Sequence, residues 1–123
     1  ANIVSQRHSY QLTPKDRYLV NAPLTHGAST YILPILGAGG AFVFPDDTKP
    51  AALLHAIARH QVTTFFSPPT MVTMLVEAAR SENVRTPSLR HVIYGGAPMR
   101  AARIREAQEA FGPVLAATYG QTE

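Results

Sequence analysis

Leu89-Arg90-His91-Val92-Ile93-Tyr94 runs directly into Gly95-Gly96-Ala97-Pro98. The first six residues are β-branched and apolar enough to read as a strand, and the glycines that bound them mark a turn. Residues 99–111 then carry a helical pattern, which Gly112-Pro113 stops. A second apolar run, Val114-Leu115-Ala116-Ala117, suits a buried strand and opens into Thr118-Tyr119-Gly120-Gln121-Thr122-Glu123. Strand, helix and strand at this spacing make one parallel crossover unit.

The same unit repeats upstream. A helix fragment is expected over residues 1–12, followed by a turn at Thr13-Pro14-Lys15-Asp16 and a strand at Arg17-Tyr18-Leu19-Val20-Asn21. Residues 25–36 read as a helix that Pro34 kinks or ends. Gly37-Ala38-Gly39-Gly40 turns the chain into the strand Ala41-Phe42-Val43-Phe44. This glycine run precedes a strand and lacks the third glycine of a dinucleotide fingerprint, so it is a turn. Residues 49–60 place Leu53, Leu54, Ile57 and Ala58 at helical spacing, and Val62-Thr63-Thr64-Phe65-Phe66 is a strand ended by Ser67-Pro68-Pro69. Residues 70–80 form a further helix with Met71, Leu75 and Ala78 on one stripe. The alternation predicts an α/β fold: a parallel, Rossmann-like sheet with helices on both faces, in one subdomain spanning residues 1–123.

The 123 residues hold 46% hydrophobic and 15% charged side chains, which is globular rather than disordered. No cysteine is present, so disulfides and thiolate zinc sites are excluded. No apolar run reaches the length of a membrane span, and no signal-peptide pattern opens the chain; a cytoplasmic parent is expected. The net charge is +3, and Arg100, Arg103 and Arg105 fall on one helix. Arg103 to Glu106 and Arg105 to Glu109 have the spacing of helix-face pairs, and no aromatics interleave them, so nucleic-acid binding is not expected. His55 and His60 do not share a helix face, and the remaining histidines show no metal-ligand spacing. Neither a nucleophile elbow nor a Walker-type loop is present.

Two strand ends carry the functional signal. Tyr119 offers an aromatic face for a base, Gly120 close backbone approach, Thr122 a hydroxyl for a phosphate and Glu123 a carboxylate for Mg²⁺. Read alone, these residues are equally a strand-to-loop turn, and Gly95 to Pro98 a strand-to-helix turn with proline at the helix start.

Taken with Ala22-Pro23-Leu24-Thr25-His26-Gly27, the two segments appear in an order that resembles the adenylate-forming superfamily: acyl-CoA synthetases, luciferases and peptide-synthetase adenylation domains. The chain is most similar to an acyl-CoA synthetase, although Ser29 stands at the usual second glycine of the His26 segment. The resemblance covers nearly the whole chain and identifies it as an internal piece of the large N-terminal domain. It implies that Gly95, Gly96, Ala97, Pro98, Thr118, Tyr119, Gly120, Gln121 and Thr122 bind the nucleotide. It also implies that Thr122 and Glu123 act in catalysis, with Glu123 linked to Mg²⁺. His26, Ser29, Thr30 and Tyr94 would border the acyl pocket. The implied co-substrates are ATP, a fatty or aromatic carboxylic acid and coenzyme A. The family's phosphate loop, ribose-binding Asp and catalytic Lys lie outside the 123 residues, so the isolated chain is expected to be inactive. Alternatives are a peptide-synthetase-type domain loading a carrier protein, a non-catalytic nucleotide-binding module of flavodoxin-like fold, and a structural α/β domain.

Overall fold

A computed structural model describes residues 12–21, 32–95 and 98–117. The helix expected over residues 1–12 and most of the one expected over 25–36 lie outside these. The described elements are β1 (Arg17–Leu19), α1 (Ile32–Gly37), β2 (Ala41–Val43), α2 (Pro50–His60), β3 (Thr64–Ser67), α3 (Pro69–Glu82), β4 (His91–Tyr94), α4 (Ala101–Phe111) and β5 (Leu115–Ala117). The five strands form one parallel sheet, as the alternation predicts, and their order is β2-β1-β3-β4-β5.

That order decides where the helices go. The chain leaves β1 toward one edge to make β2, then crosses back and builds β3, β4 and β5 toward the other. Right-handed crossovers in opposite directions put their helices on opposite faces. The core agrees. Ile35 of α1 and Ala38 just beyond it pack with Leu12, Tyr18 and Ile93 on one face. On the other, Leu53, Leu54 and Ile57 of α2, Val72, Leu75, Val76 and Ala79 of α3, and Ala107 and Phe111 of α4 close over Leu19, Phe65 and Val92. Successive strand residues therefore part company, Phe65 to the larger cluster and Phe66 to the smaller, as a period of two requires.

Local chemistry sets the boundaries. Helices α2 and α3 begin at Pro50 and Pro69, where a missing N–H costs nothing. Both end without glycine: Gln61 and Asn83 take left-handed conformations at φ 54° and 52°. Val62 N then donates to Ile57 O and Val84 N to Ala79 O, closing the last turns. Two expectations are corrected in detail. Ala58 is exposed, its place against the core taken by half-buried Ala56. Arg103 does pair with Glu106 at 3.0 Å, but Glu109 reaches across to Arg80 of α3 at 3.5 Å rather than back to Arg105.

A polar clamp ties the amino-terminal ends of three strands. The Asp16 side chain is fully buried. Its Oδ1 accepts from Thr63 Oγ1 at 2.7 Å and its Oδ2 from Thr13 N at 2.7 Å, while Arg90 Nη1 lies 3.2 Å and 3.3 Å from the two oxygens. Thr63 Oγ1 in turn accepts from Arg17 N at 2.9 Å. One carboxylate thereby links the starts of β1, β3 and β4, and the expected turn at residues 13–16 is its near wall.

Candidate functional site

The carboxyl ends of the strands form the opposite edge, and they are level. Ser67 is in register with Tyr94, and Tyr94 with Ala117, so β3, β4 and β5 end side by side. The segments beginning at Gly95 and Thr118 therefore leave adjacent strands from one line. The strand order reverses at β1, and in open parallel sheets ligands sit outside the carboxyl ends at such a reversal. Here the reversal lies between β1 and β3.

The edge has a positive bias built from backbone. Helix α3 starts from Pro68 and α4 from Arg100, neither with a side-chain cap or an acidic residue in its first turn. The free amide groups of both helix starts face this edge, where they favour negative charge. Arg100, exposed, adds to it, whereas Arg103 is paired with Glu106.

Of the residues singled out from sequence, Tyr94, Gly95 and Pro98 are described. Tyr94 ends β4, half-buried and packed against the larger core cluster. Gly95 is buried directly after it, and Pro98 is exposed ahead of α4. Gly96, Ala97, Thr118, Tyr119, Gly120, Gln121, Thr122, Glu123, His26, Ser29 and Thr30 lie outside the described residues. Two residues at this edge had not been singled out for a site role: Asn21, 8% exposed, and Ser67, 0% exposed. The signal available for them was alternation. Asn21 stands two residues after buried Leu19, and Ser67 two after buried Phe65, so both fall on an inward-facing position.

A cavity of about 450 Å³ opens elsewhere, lined by Arg80, Arg85, Thr86, Glu109 and Phe111 among others. Its walls are the carboxyl ends of α3 and α4, which places it at the amino-terminal edge of the sheet, away from Gly95 and Ala117. Among the described residues no group of three His, Cys, Asp or Glu side chains could hold a metal ion. No described helix is long and apolar enough to cross a membrane.

Comparison with known proteins matches this architecture to one family. Residues 1–123 fit the model for the AMP-binding enzyme. The medium/long-chain-fatty-acid–CoA ligase FadD8 of Mycobacterium tuberculosis is 31% identical over 107 residues, covering 87% of this chain and 19% of that protein. FadD10 of the same organism, a medium/long-chain-fatty-acid–[acyl-carrier-protein] ligase, is 37% identical over 102 residues, covering 82% of this chain and 18% of its own. Among solved structures, the amide bond synthetase McbA from Marinactinospora thermotolerans superposes with a TM-score of 0.82 at 29% identity, over 98% of this chain and 25% of that one. The chain thus spans about a fifth of the length of these curated relatives. With its parallel sheet, its level carboxyl edge and a match along its full length, the chain belongs to the AMP-binding enzyme family of adenylate-forming ligases.

Proposed function

We propose that the full-length protein carrying this chain activates a carboxylic acid, fatty or aromatic, with ATP and passes the acyl group to the thiol of coenzyme A. The observation that carries this reading is the level edge, which starts the Gly95 and Thr118 segments from neighbouring strands. Gly95 to Pro98 and Thr118 to Thr122 then form the two sides of the adenine and α-phosphate site, with Tyr119 against the base.

In the first half-reaction a carboxylate oxygen attacks the α-phosphorus. A new P–O bond forms, the bond to the β-phosphate oxygen breaks, and pyrophosphate leaves. No proton needs to move, because a carboxylic acid with a pKa of about 4 is already ionised at neutral pH. The demands on the protein are alignment and charge stabilisation. Thr122 meets the phosphate, and the uncapped starts of α3 and α4 keep the edge positive. Bound Mg²⁺ supplies neutralisation of the phosphate charge. Glu123 is the carboxylate offered to it. In the second half-reaction the thiolate attacks the acyl carbon, a C–S bond forms and AMP departs. His26, Ser29, Thr30 and Tyr94 border the acid.

A carrier-protein thiol is the second reading of the acceptor. The FadD10 relative, a ligase acting toward acyl carrier protein, favours it. Incubating the full-length protein with ATP, Mg²⁺, candidate acids and either coenzyme A or a carrier protein tests both. Acid-dependent thioester formation supports the proposal and names the acceptor. A folded protein that binds ATP and yields neither AMP nor thioester overturns it.

A further inference from the structure

We infer that the cavity between the carboxyl ends of α3 and α4 is a second ligand site, which takes a small organic acid. The carboxylate is held by Arg80 and Arg85, and the apolar body lies along Val84, Ala110 and Phe111. The volume, about 450 Å³, falls in the range of about 300–1,000 Å³ typical of small-molecule sites. This site is separate from the edge assigned to acid activation. Helix α3 leads from the end of β3 to the start of β4, and α4 from the end of β4 to the start of β5. They have 14 and 11 residues. At about 1.5 Å per residue, about 16–21 Å separates their starts at the carboxyl edge from the cavity at their far ends.

The charge of the lining selects the ligand. Its ionised side chains are Arg80, Arg85 and Glu109, which leave one net positive charge. Arg80 is held loosely, 3.5 Å from Glu109, with both side chains more than half exposed. Arg85 is exposed and makes no ion pair among the described residues. Two guanidinium groups against one carboxylate suit a monoanion better than a phosphate ester, whose charge approaches about −2. Free carbonyls at helix ends oppose an anion. Here backbone closes both last turns: Asn83 N and Val84 N donate to Ala79 O, and Gly112 N to Gln108 O. The other wall is apolar. Val84 and Ala110 are half-buried against the larger core cluster, to which buried Phe111 belongs, so a hydrocarbon body laid there leaves water at no cost in hydrogen bonds.

Hydrogen exchange on the full-length protein tests the site, with hexanoate and its uncharged counterpart hexanamide as probes. A bound probe at about four times its dissociation constant lowers the open population about fivefold. Hexanoate is expected to slow exchange by that factor across residues 80–87 and 108–112, and hexanamide to leave it within about twofold. Arg85→Gln, at an exposed side chain without an ion pair, keeps the melting temperature and abolishes the protection. Glu109→Gln removes the competing carboxylate and tightens hexanoate about threefold. Equal protection by hexanamide, or protection that survives Arg85→Gln, overturns the inference. So does protection by hexanoate confined to the carboxyl edge around Gly95, or none at all, the result expected if another part of the protein covers the cavity. The readout does not use turnover, so acid activation and this site stand or fall separately.

Discussion

The Asp16 clamp gives the most quantitative prediction. Asp16→Ala removes a fully buried carboxylate that accepts from Thr63 Oγ1 and Thr13 N, both at 2.7 Å, and from Arg90 at 3.2 Å. A hydrogen bond to a charged group is worth about 1.5–3 kcal/mol. The Arg90 side chain is 40% exposed and can return to water, so its share is discounted. What remains is the two short bonds and the buried donors they would abandon, about 3 kcal/mol in all. That corresponds to an opening equilibrium on the order of 100-fold larger where β1 meets β3. Hydrogen exchange on the full-length protein reads it directly. Arg17 N, held by Thr63 Oγ1, and Thr63 N, held by Arg17 O, lose protection by that factor. Asp16→Asn keeps the shape but sets an amide N–H₂ against one of its donors, and loses about tenfold. Protection within about threefold of the unaltered protein in Asp16→Ala would refute the clamp as a source of local stability.

Packing yields two further predictions. A Cβ on Gly40 would stand 2.8 Å from Asp16 O and 3.0 Å from Ile35 Cγ2, and Gly40 N is itself tied to Ile35 O at 2.9 Å. Gly40→Ala should therefore cost about 1–3 kcal/mol, seen as increased exchange at Ala41 and in β1. Leu53 is fully buried where α2 meets the sheet, so Leu53→Ala should cost about 2–5 kcal/mol in a thermal melt, whereas Phe44→Ser, at a side chain 69% exposed, should leave the melt unchanged.

Element type was legible because the signals were local. β-Branched runs gave strands, helical spacing gave helices, and their alternation gave a parallel sheet. Boundaries slipped where backbone hydrogen bonding overrode residue preference. Val62 reads as the start of a strand, yet its N–H closes the end of α2, and β3 begins at Thr64. Pro69 reads as a strand stop, yet it is the first residue of α3. The strand order was not legible at all, since it depends on which way each crossover turns rather than on composition. The clamp was equally hidden: Asp16, Thr63 and Arg90 are far apart in sequence and meet only when β1, β3 and β4 are aligned.

The site was legible in a different way. Gly95 to Pro98 and Thr118 to Glu123 drew attention as strand ends of special composition, and the register shows that the strands leading into them stop level with one another. Asn21 and Ser67 did not, because a lone serine or asparagine at a strand end is common punctuation. Only burial and the absence of a partner among the described residues set Ser67 apart.

Acid-dependent exchange of pyrophosphate into ATP by the full-length protein, with Glu123→Ala measured alongside, tests the central claim most directly. The account predicts exchange with one class of fatty or aromatic acids and a loss of about 100-fold or more in the variant, the scale for removing one electrostatic contributor to a phosphoryl-type transition state. Exchange in the unaltered protein that survives undiminished in Glu123→Ala would contradict the role given to this strand end. No exchange from a folded, ATP-binding protein would contradict acid activation itself.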